Sequence, residues 1–484
     1  MSPSEFIRKI CSLEKSMNID EIRYSDFNAW PLVRLAILRR ASPKPSPSRA
    51  KSTWDLGKKI RRLLRSGLAN LGNPMRVEQV DIVYFTLASQ SREVVNNQRS
   101  NPHAEGLREF FAKNHRVKTL EMSDDYQGPK ACANNETTSL DNIFSRTLIR
   151  FKLSNLFRFD KYELFTPMNK EIQRIFGFQI RVDSDVEFLN LLAEEFVKVL
   201  WLYNPKVVFV SVFYRIEAMA MCLACERLGI KVVEYQHGAQ SDQHPMYTNW
   251  ENAPKSGYEL IPDIFWTWGE ASKRRISTWA DKTKKHSAIL GGNLWMTLNG
   301  PIHTEALGAR GEGYYKDGKI HVLVSLQGDP FFPGFLLDAI FESSNFVVWH
   351  LRDHPRLPIT KSLRRRILQC ENTELEESTS TALYELLSRV DIHVTGFSTV
   401  AFEAQVFNVP TVFTHVNAVL GHSSLIGLNG LNYADSAAEL LKLVKRLNDS
   451  RPLAESVYII SDLELSTAVL DALVGNSNPP EMGY

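Results

Sequence analysis

Three short stretches of the chain place acid–base or anion-binding side chains next to glycine, directly behind apolar, β-branched runs. The first is Tyr235-Gln236-His237-Gly238-Ala239, which follows Ile230-Lys231-Val232-Val233-Glu234. Histidine exchanges a proton near neutral pH and glycine admits a close backbone approach, so His237 is a candidate general base or phosphate-side donor. Gln236 and Gly238 are its neighbours in a cleft; the alternative is a turn that His237 and Gln236 merely hydrogen-bond. His244 and Pro245 continue the same loop. The second stretch, Trp349-His350-Leu351-Arg352-Asp353-His354-Pro355-Arg356, ends another apolar run in cations. Arg352 and His354 are groups that would neutralise a phosphate, unless the loop is only solvated charge. The third is Thr395-Gly396-Phe397-Ser398-Thr399 ahead of a helix over 400–407. Gly396, Ser398 and Thr399 there would offer backbone N–H groups and hydroxyls to an anion at the positive end of the helix dipole. Ser398 or Thr399 could equally cap that helix. Glu403, one turn in, is placed to take ribose hydroxyls or to be a surface residue, and Gln327, just past the run 321–326, is a further cleft residue.

In open α/β sheets ligands sit beyond the carboxyl ends of strands, so the elements around these stretches decide whether they meet. Apolar runs predict strands over 80–86, 117–120, 205–211, 230–235, 321–326, 346–351, 391–394 and 411–413. Helical periodicity falls between them, over 104–113, 185–202, 216–228, 335–341, 363–368, 382–390 and 400–407. That alternation predicts an α/β protein of two doubly wound, Rossmann-like domains facing a cleft, behind a helical N-terminal extension. The expected divisions are 1–75, 76–265 and 266–484. Residues 6–40 read as helical and run into a Pro-, Ser- and Lys-rich linker over 41–53. Lys58–Arg65 is basic with Ile60, Leu63 and Leu64 on one helical face, which fits either contact with an anionic membrane surface or docking on the protein.

With 484 residues, 44% hydrophobic and 23% charged, the chain is long enough for two large cores, and a formal charge of +2 gives no sign of nucleic-acid binding. Five cysteines form no disulfide framework, so a reducing cytoplasmic location is expected, with peripheral contact at the inner membrane as an extension of it. Cys222 and Cys225 lie in an Ala- and Met-rich helical stretch and read as packing residues. The N-terminus lacks a secretory apolar segment, and no apolar run reaches membrane-spanning length. Asp183-Ser184-Asp185 has Asp-x-Asp spacing but precedes a helix, where it reads as a cap; no metal site is expected.

Taken in order, Glu234-Tyr235-Gln236-His237-Gly238, the run Pro262–Gly269, Leu290-Gly291-Gly292-Asn293, Asp353-His354-Pro355 and Thr395–Ala404 resemble bacterial GT-B glycosyltransferases of capsule and O-antigen assembly. The Kdo- and sialic-acid-type transferases are the nearest of these in pattern, and the teichoic-acid glycerophosphotransferases are more remote. The resemblance implies a transferase moving a sugar from a nucleotide-activated donor, a CMP-sugar by preference, to a surface-polysaccharide or lipid-linked glycan. The N-terminal half would hold the acceptor and the C-terminal half the donor, with no cofactor. His354 and Pro355 match the His-Pro motif at the nucleotide phosphate, Ser398 and Thr399 the Ser/Thr motif, Glu403 the ribose-binding acid, and His237 the cleft histidine. Asn408 stands where many relatives carry glycine, and Gly292-Asn293-Leu294 replaces Gly-Asn-Pro. The same scaffold also suits a nucleotide-sugar epimerase, a glycerophosphotransferase or a non-catalytic assembly protein.

Overall fold

The computed structural model describes residues 3–41, 77–88, 93–95, 98–122, 137–156, 166–299, 315, 317–354, 357–423, 425–450 and 458–475. The basic segment Lys58–Arg65, Cys132, Pro355 and Arg356 lie outside the described residues. The stretch expected to be helical over 6–40 is two helices, α1 (Pro3–Ser16) and α2 (Trp30–Ala41). A small antiparallel hairpin, Arg23–Tyr24 with Phe27–Asn28, separates them. The break is local chemistry: Asn18, Asp20, Ser25 and Asp26 are turn formers, and Ser25 sits at φ 55°.

A wholly buried ion pair joins these helices to the rest of the molecule. The side chains of Glu14 and Arg34 both have 0% exposure. Glu14 accepts from Arg34 and, at 2.7 Å each, from Trp30 Nε1 and the Glu251 N–H. Arg34 donates to the carbonyls of Pro245, Thr248 and Asn249 and lies 4.2 Å from the Trp250 ring centroid. Burial holds the Glu14 carboxyl above its usual range despite the Arg34 cation beside it.

The first sheet has seven parallel strands: β1 (Ile82–Leu87), β2 (Val117–Met122), β3 (Thr137–Ser139), β4 (Val207–Val210), β5 (Lys231–Tyr235), β6 (Ile264–Thr267) and β7 (Ser287–Leu290). Their order is β7-β6-β5-β4-β1-β2-β3. Every residue of β1 and β4 is buried, as expected where helices cover both faces of a parallel sheet. Among those helices are α3 (Asp183–Tyr203) and α4 (Ile216–Leu228), closed by Asn204 at φ 42° and Gly229 at φ 66°. Asp183 and Asp185 fall in the first turn of α3, whose cap position is Val182, so they meet the dipole and do not cap. Cys222 and Cys225 are buried in α4, and burial pushes both thiols well up, which makes them packing groups. Strand β6 straddles residue 265 and pairs with β5 and β7, so the first sheet continues past the expected division. After β6 comes α5 (Glu270–Ala280), and after β7 the short α6 (Leu294–Asn299).

The second sheet has six parallel strands: β8 (Ile320–Ser325), β9 (Val347–Arg352), β10 (Thr373–Glu374), β11 (Ile392–Thr395), β12 (Thr411–Phe413) and β13 (Leu431–Tyr433). Their order is β10-β9-β8-β11-β12-β13, and both sheets therefore have doubly wound, Rossmann-like connectivity. With the helical N-terminal segment, this is the GT-B-like fold. The stretch expected as one helix over 382–390 is helical only at Leu383–Leu387, followed by the buried Val390. Helix α7 (Val400–Val406) follows β11, and α8 (Val416–His422) follows β12. Asn408 adopts φ 57°, the left-handed conformation that glycine supplies most easily and asparagine tolerates, which explains the exchange at this position.

The chain ends its described course back on the first sheet. Leu470 and Val474 of α9 (Leu463–Gly475) share a core cluster with Ile82, Tyr84 and Trp266. The Gly291-Gly292-Asn293 corner receives this return. A Cβ on Gly291 would lie 2.0 Å from the Trp266 ring, Asn293 N–H donates to Ile460 O, and Ser466 Oγ donates to Gly291 O. The departure from Gly-Asn-Pro is at Leu294, whose N–H, which proline would lack, donates to Tyr235 Oη at 2.9 Å. No helix among the described residues is long and apolar enough to cross a membrane.

Removing the cation of the buried pair leaves a desolvated carboxylate. Arg34→Met is expected to cost about 3–5 kcal/mol in urea unfolding, and the double change Glu14→Gln/Arg34→Met to recover part of that loss.

Candidate functional site

The order of the second sheet reverses at β8 and β11, and loops beyond their carboxyl ends meet the first half across a cavity of about 650 Å³. The second half contributes Gln327, His354, Phe397, Ser398 and Thr399, together with Asn417, Leu420 and His422 around α8. The loop after β5 contributes Ala239, Ser241, Gln243, His244 and Pro245, and the N-terminal helices add Phe6, Leu38 and Ala41.

Gln327 organises the switch point. Its Oε1 accepts the Phe397 N–H at 2.8 Å, which fixes the turn that presents Ser398 and Thr399. A Cβ on Gly396 would lie 2.7 Å from that oxygen, so glycine is needed there to let the amide through. Phe397 also packs edge-on against Phe331 at 5.0 Å. Ser398 Oγ accepts from the Val400 N–H at 3.4 Å, a long capping contact.

The His354 loop is held from within. Asp353 Oδ1 accepts from the N–H groups of His354 and Ile359 at 2.9 and 3.0 Å. His354 Nδ1 accepts the Leu357 N–H at 3.1 Å, which places the ring proton of the neutral form on Nε2. Arg352 Nη1 donates to the carbonyls of Ser378 and Thr381, binding a neighbouring turn.

Across the cavity, Gln236 is a fixture of the first half. It is buried, its Oε1 accepts the Trp268 N–H at 2.8 Å, and its Nε2 donates to Gly238 O and Ser272 Oγ. Gly238 faces the opposite turn: a Cβ there would be 3.8 Å from Thr399 Cγ2, an ordinary contact that does not demand glycine. The His237 ring lies 6.3 Å from Tyr214 and 6.5 Å from Tyr247. His244 lies 5.1 and 4.8 Å from the same two rings, and burial pushes it down to about 4.

Beneath these rings lies Glu234, 1% exposed. Its Oε1 accepts from Tyr247 Oη at 2.6 Å and the Phe213 N–H at 3.3 Å. Its Oε2 is buried with no hydrogen-bond partner among the described residues, and burial raises the carboxyl to about 8. The adjoining Val212 has φ 55°, a strained conformation for a β-branched residue, at the carboxyl end of β4.

The two halves are clasped beside the cavity. Tyr458 Oη accepts from the Gln240 N–H at 2.5 Å and donates to Gln240 O at 2.8 Å, while its ring stacks on Phe402 at 3.8 Å. The Asp242 N–H donates to Gly421 O, and a Cβ on Gly421 would come within 3.2 Å of Ser241 Cβ.

Of the residues singled out in the sequence, Gln327, His354, Ser398 and Thr399 line one cavity, as do His244 and Pro245 from the loop after β5. Gly396 supports that wall, Arg352 and Gln236 bind protein groups, and His237, Gly238 and Glu403 stand outside the lining. Pro355 is outside the described residues. The sequence reading missed Gln243 and His422, and it missed Glu234 as a buried acid, although a lone carboxylate inside Val232-Val233-Glu234-Tyr235 was a visible signal. Among the described residues no group of three or more His, Cys, Asp or Glu side chains could hold a metal ion.

No family model and no curated protein matches the chain. Among solved structures it is similar to the UDP-GlcNAc 2-epimerase from Methanocaldococcus jannaschii, at 14% identity over 81% of this chain and 98% of that one, with TM-score 0.49. The UDP-GlcNAc 2-epimerase from Neisseria meningitidis bound to UDP-GlcNAc matches at 12% identity over 82% and 99%, TM-score 0.49. The wall teichoic acid polymerase TagF matches at 9% identity over 87% and 98%, TM-score 0.43. No residue role is carried over from these proteins.

Two outcomes are expected. Gly396→Ala displaces the Gln327 amide and should weaken anion binding in the cavity by about tenfold while leaving the circular dichroism spectrum native, one charge-assisted contact being at stake. The Glu234 carboxyl, raised above its ordinary 4.5, favours the fold fully below that pH and loses its contribution as pH rises towards about 8. The stability of the native protein relative to Glu234→Gln should therefore fall between pH 5 and 8, by up to ~1.4 kcal/mol per pH unit, in denaturation series at fixed ionic strength.

Proposed function

We propose that the chain is a glycosyltransferase that moves a sugar from a nucleotide-activated donor, a CMP-sugar by preference, to a surface-polysaccharide or lipid-linked glycan acceptor. The observation that carries this reading is the meeting of Gln327, His354, Ser398 and Thr399, from three separate strand ends, on one cavity between the two halves. The family resemblance in the sequence implies that His354, Ser398 and Thr399 serve a nucleotide phosphate, with Gln327 as a further cleft residue. The cavity volume suits a ligand of nucleotide-sugar size.

In this reading the donor phosphate lies against the 397–399 turn and His354. With Nδ1 accepting the Leu357 N–H, the ring proton of neutral His354 sits on Nε2, and in this reading that N–H donates to a phosphate oxygen. Hydroxyls of Ser398 and Thr399 add neutral donors, and charge developing on the departing nucleotide is stabilised there more than the ground state is. The first half presents the acceptor hydroxyl. His237, in the loop that reaches the cavity at Ala239, takes its proton as the glycosidic bond forms at the anomeric carbon. Gln236 acts on this step through its hold on Gly238 O and the Trp268 N–H, which sets the course of the His237 loop. The domains are proposed to divide the work as acceptor and donor halves, with α9 completing the first.

Calorimetric titration with CMP, CDP and UDP tests the reading. One nucleotide should bind selectively, and His354→Ala/Ser398→Ala should lose about 100-fold in affinity, from two lost hydrogen bonds to a charged group. His237→Ala should keep that affinity and lower kcat by about 10²–10⁴-fold. Absence of binding by all three nucleotides in the native protein would overturn the proposal.

A further inference from the structure

The cavity lining is of two kinds, and the donor reading uses one. Gln327, His354, Ser398 and Thr399 give it polar groups from the second half. Phe6, Leu38 and Ala41 of the N-terminal helices, Ala239 and Pro245 of the loop after β5, and Leu420 of α8 line it with carbon. A nucleotide sugar consists largely of phosphates and polyols, and hydroxyls laid on such side chains lose water without gaining hydrogen bonds. The apolar part of the lining therefore suits a different group.

The N-terminal helices are fixed where they can supply it. Arg34, Leu38 and Ala41 recur at the i, i+4, i+7 spacing of one helical face. Arg34 anchors that face on the loop after β5 by donating to Pro245 O at 2.8 Å, and Glu14 of α1 pairs with the same guanidinium. Leu38 and Ala41 thereby reach the cavity together with Pro245. Phe6 reaches it from α1, its ring 5.7 Å from that of Phe176. Leu420, 36% exposed, carries the apolar lining across to the second half.

Charge narrows the occupant. Arg39 and Arg40 lie in the last turn of α2, immediately before Ala41. The sequence continues through 42–76 rich in Lys and Arg, with Asp55 as its one acidic residue. Apolar side chains next to cations suit a hydrocarbon chain with an anionic head, and a concave lining of this size takes one chain and not the face of a bilayer.

We propose that Phe6, Leu38, Ala41 and Leu420 form a subsite for the hydrocarbon chain of the acceptor, a single lipid joined to its glycan through phosphate. This rests on the transferase reading above and selects the lipid-linked acceptor over a free polysaccharide.

The test is calorimetric titration with inorganic phosphate, butyl phosphate and decyl phosphate, the last below its micelle concentration, alongside CMP, CDP and UDP. Decyl phosphate should bind the native protein at least about tenfold more tightly than butyl phosphate, and this comparison needs no variant. Ala41→Gln and Leu420→Gln should each weaken decyl phosphate by about 5- to 20-fold and leave butyl phosphate and the nucleotides within about twofold. Val416, 51% exposed and one turn before Leu420, is outside the lining, so Val416→Gln should change none of these affinities. No preference for the longer chain, no loss in either lining variant, or an equal loss in Val416→Gln overturns the chain subsite. Weaker nucleotide binding in the lining variants gives the apolar wall to the nucleobase and overturns it as well. In each of these cases selective nucleotide binding by the native protein leaves the transferase reading standing. Failure of CMP, CDP and UDP to bind the native protein overturns both.

Discussion

Everything at the cavity depends on how the Tyr458 hydroxyl closes a two-way hydrogen bond with the Gln240 backbone while its ring lies on Phe402. Gln240 belongs to the loop that follows the fifth strand of the first sheet, and Phe402 to the helix that follows Thr395-Gly396-Phe397-Ser398-Thr399. One aromatic side chain thus couples the segment carrying His237, Gln243 and His244 to the segment carrying Ser398 and Thr399. The near contact of Ser241 with Gly421 adds a steric limit to the same approach. Without these contacts the residues from the two halves would face a gap, not a shared wall.

Behind that closure stand supports of a different kind. On one side they are amide contacts of neutral groups: Gln327 to Phe397 and Gln236 to Trp268 and Gly238, each satisfying a loop N–H or carbonyl next to the cavity. On the other they are buried acids, with Glu14 paired to Arg34 under the loop at Pro245–Glu251 and Glu234 under the aromatic rings of Tyr214, Tyr247, His237 and His244. The two acids differ in their electrostatics. Glu14 meets a cation within its own buried network, whereas Glu234 meets only Tyr247 and backbone N–H groups, so that its burial is answered by a proton near neutral pH.

The sheet cores were legible because parallel strands covered on both faces are continuous apolar runs, as at Ile82–Leu87 and Val207–Val210. That Gln327, His354, Ser398 and Thr399 stand just past strand ends was legible as well, because residues there are placed by local sequence once the strands are found. What escaped depends on contacts between distant segments. The strand Ile264–Thr267 carries two large aromatics next to turn residues and reads as a boundary until its pairing with Lys231–Tyr235 is known. His422 lies in a seven-residue helix with no periodic signal, and only the approach of Gly421 to Ser241 brings it to the cavity. The pairing of Glu14 with Arg34 crosses a hairpin that interrupts what reads as one helix. Neither Arg352 nor Gln236 could be told from ligand-binding residues by type, since the carbonyls and amides they bind are supplied by remote turns.

The crossing at Gly291–Asn293 has a mechanical consequence. The chain leaves the first sheet there for the second and returns past Ile460, which donates its N–H to Trp268 O and accepts that of Asn293. Outgoing and incoming strands of the connection are laced to each other and to the Trp266 ring, on whose face Gly291 lies flat. The second sheet is therefore carried as a closed loop on a double stem, not as a bead on a single string. Such a stem restrains twisting of one sheet against the other more than a single crossing would, and the Tyr458 contacts with Gln240 add a separate point of attachment.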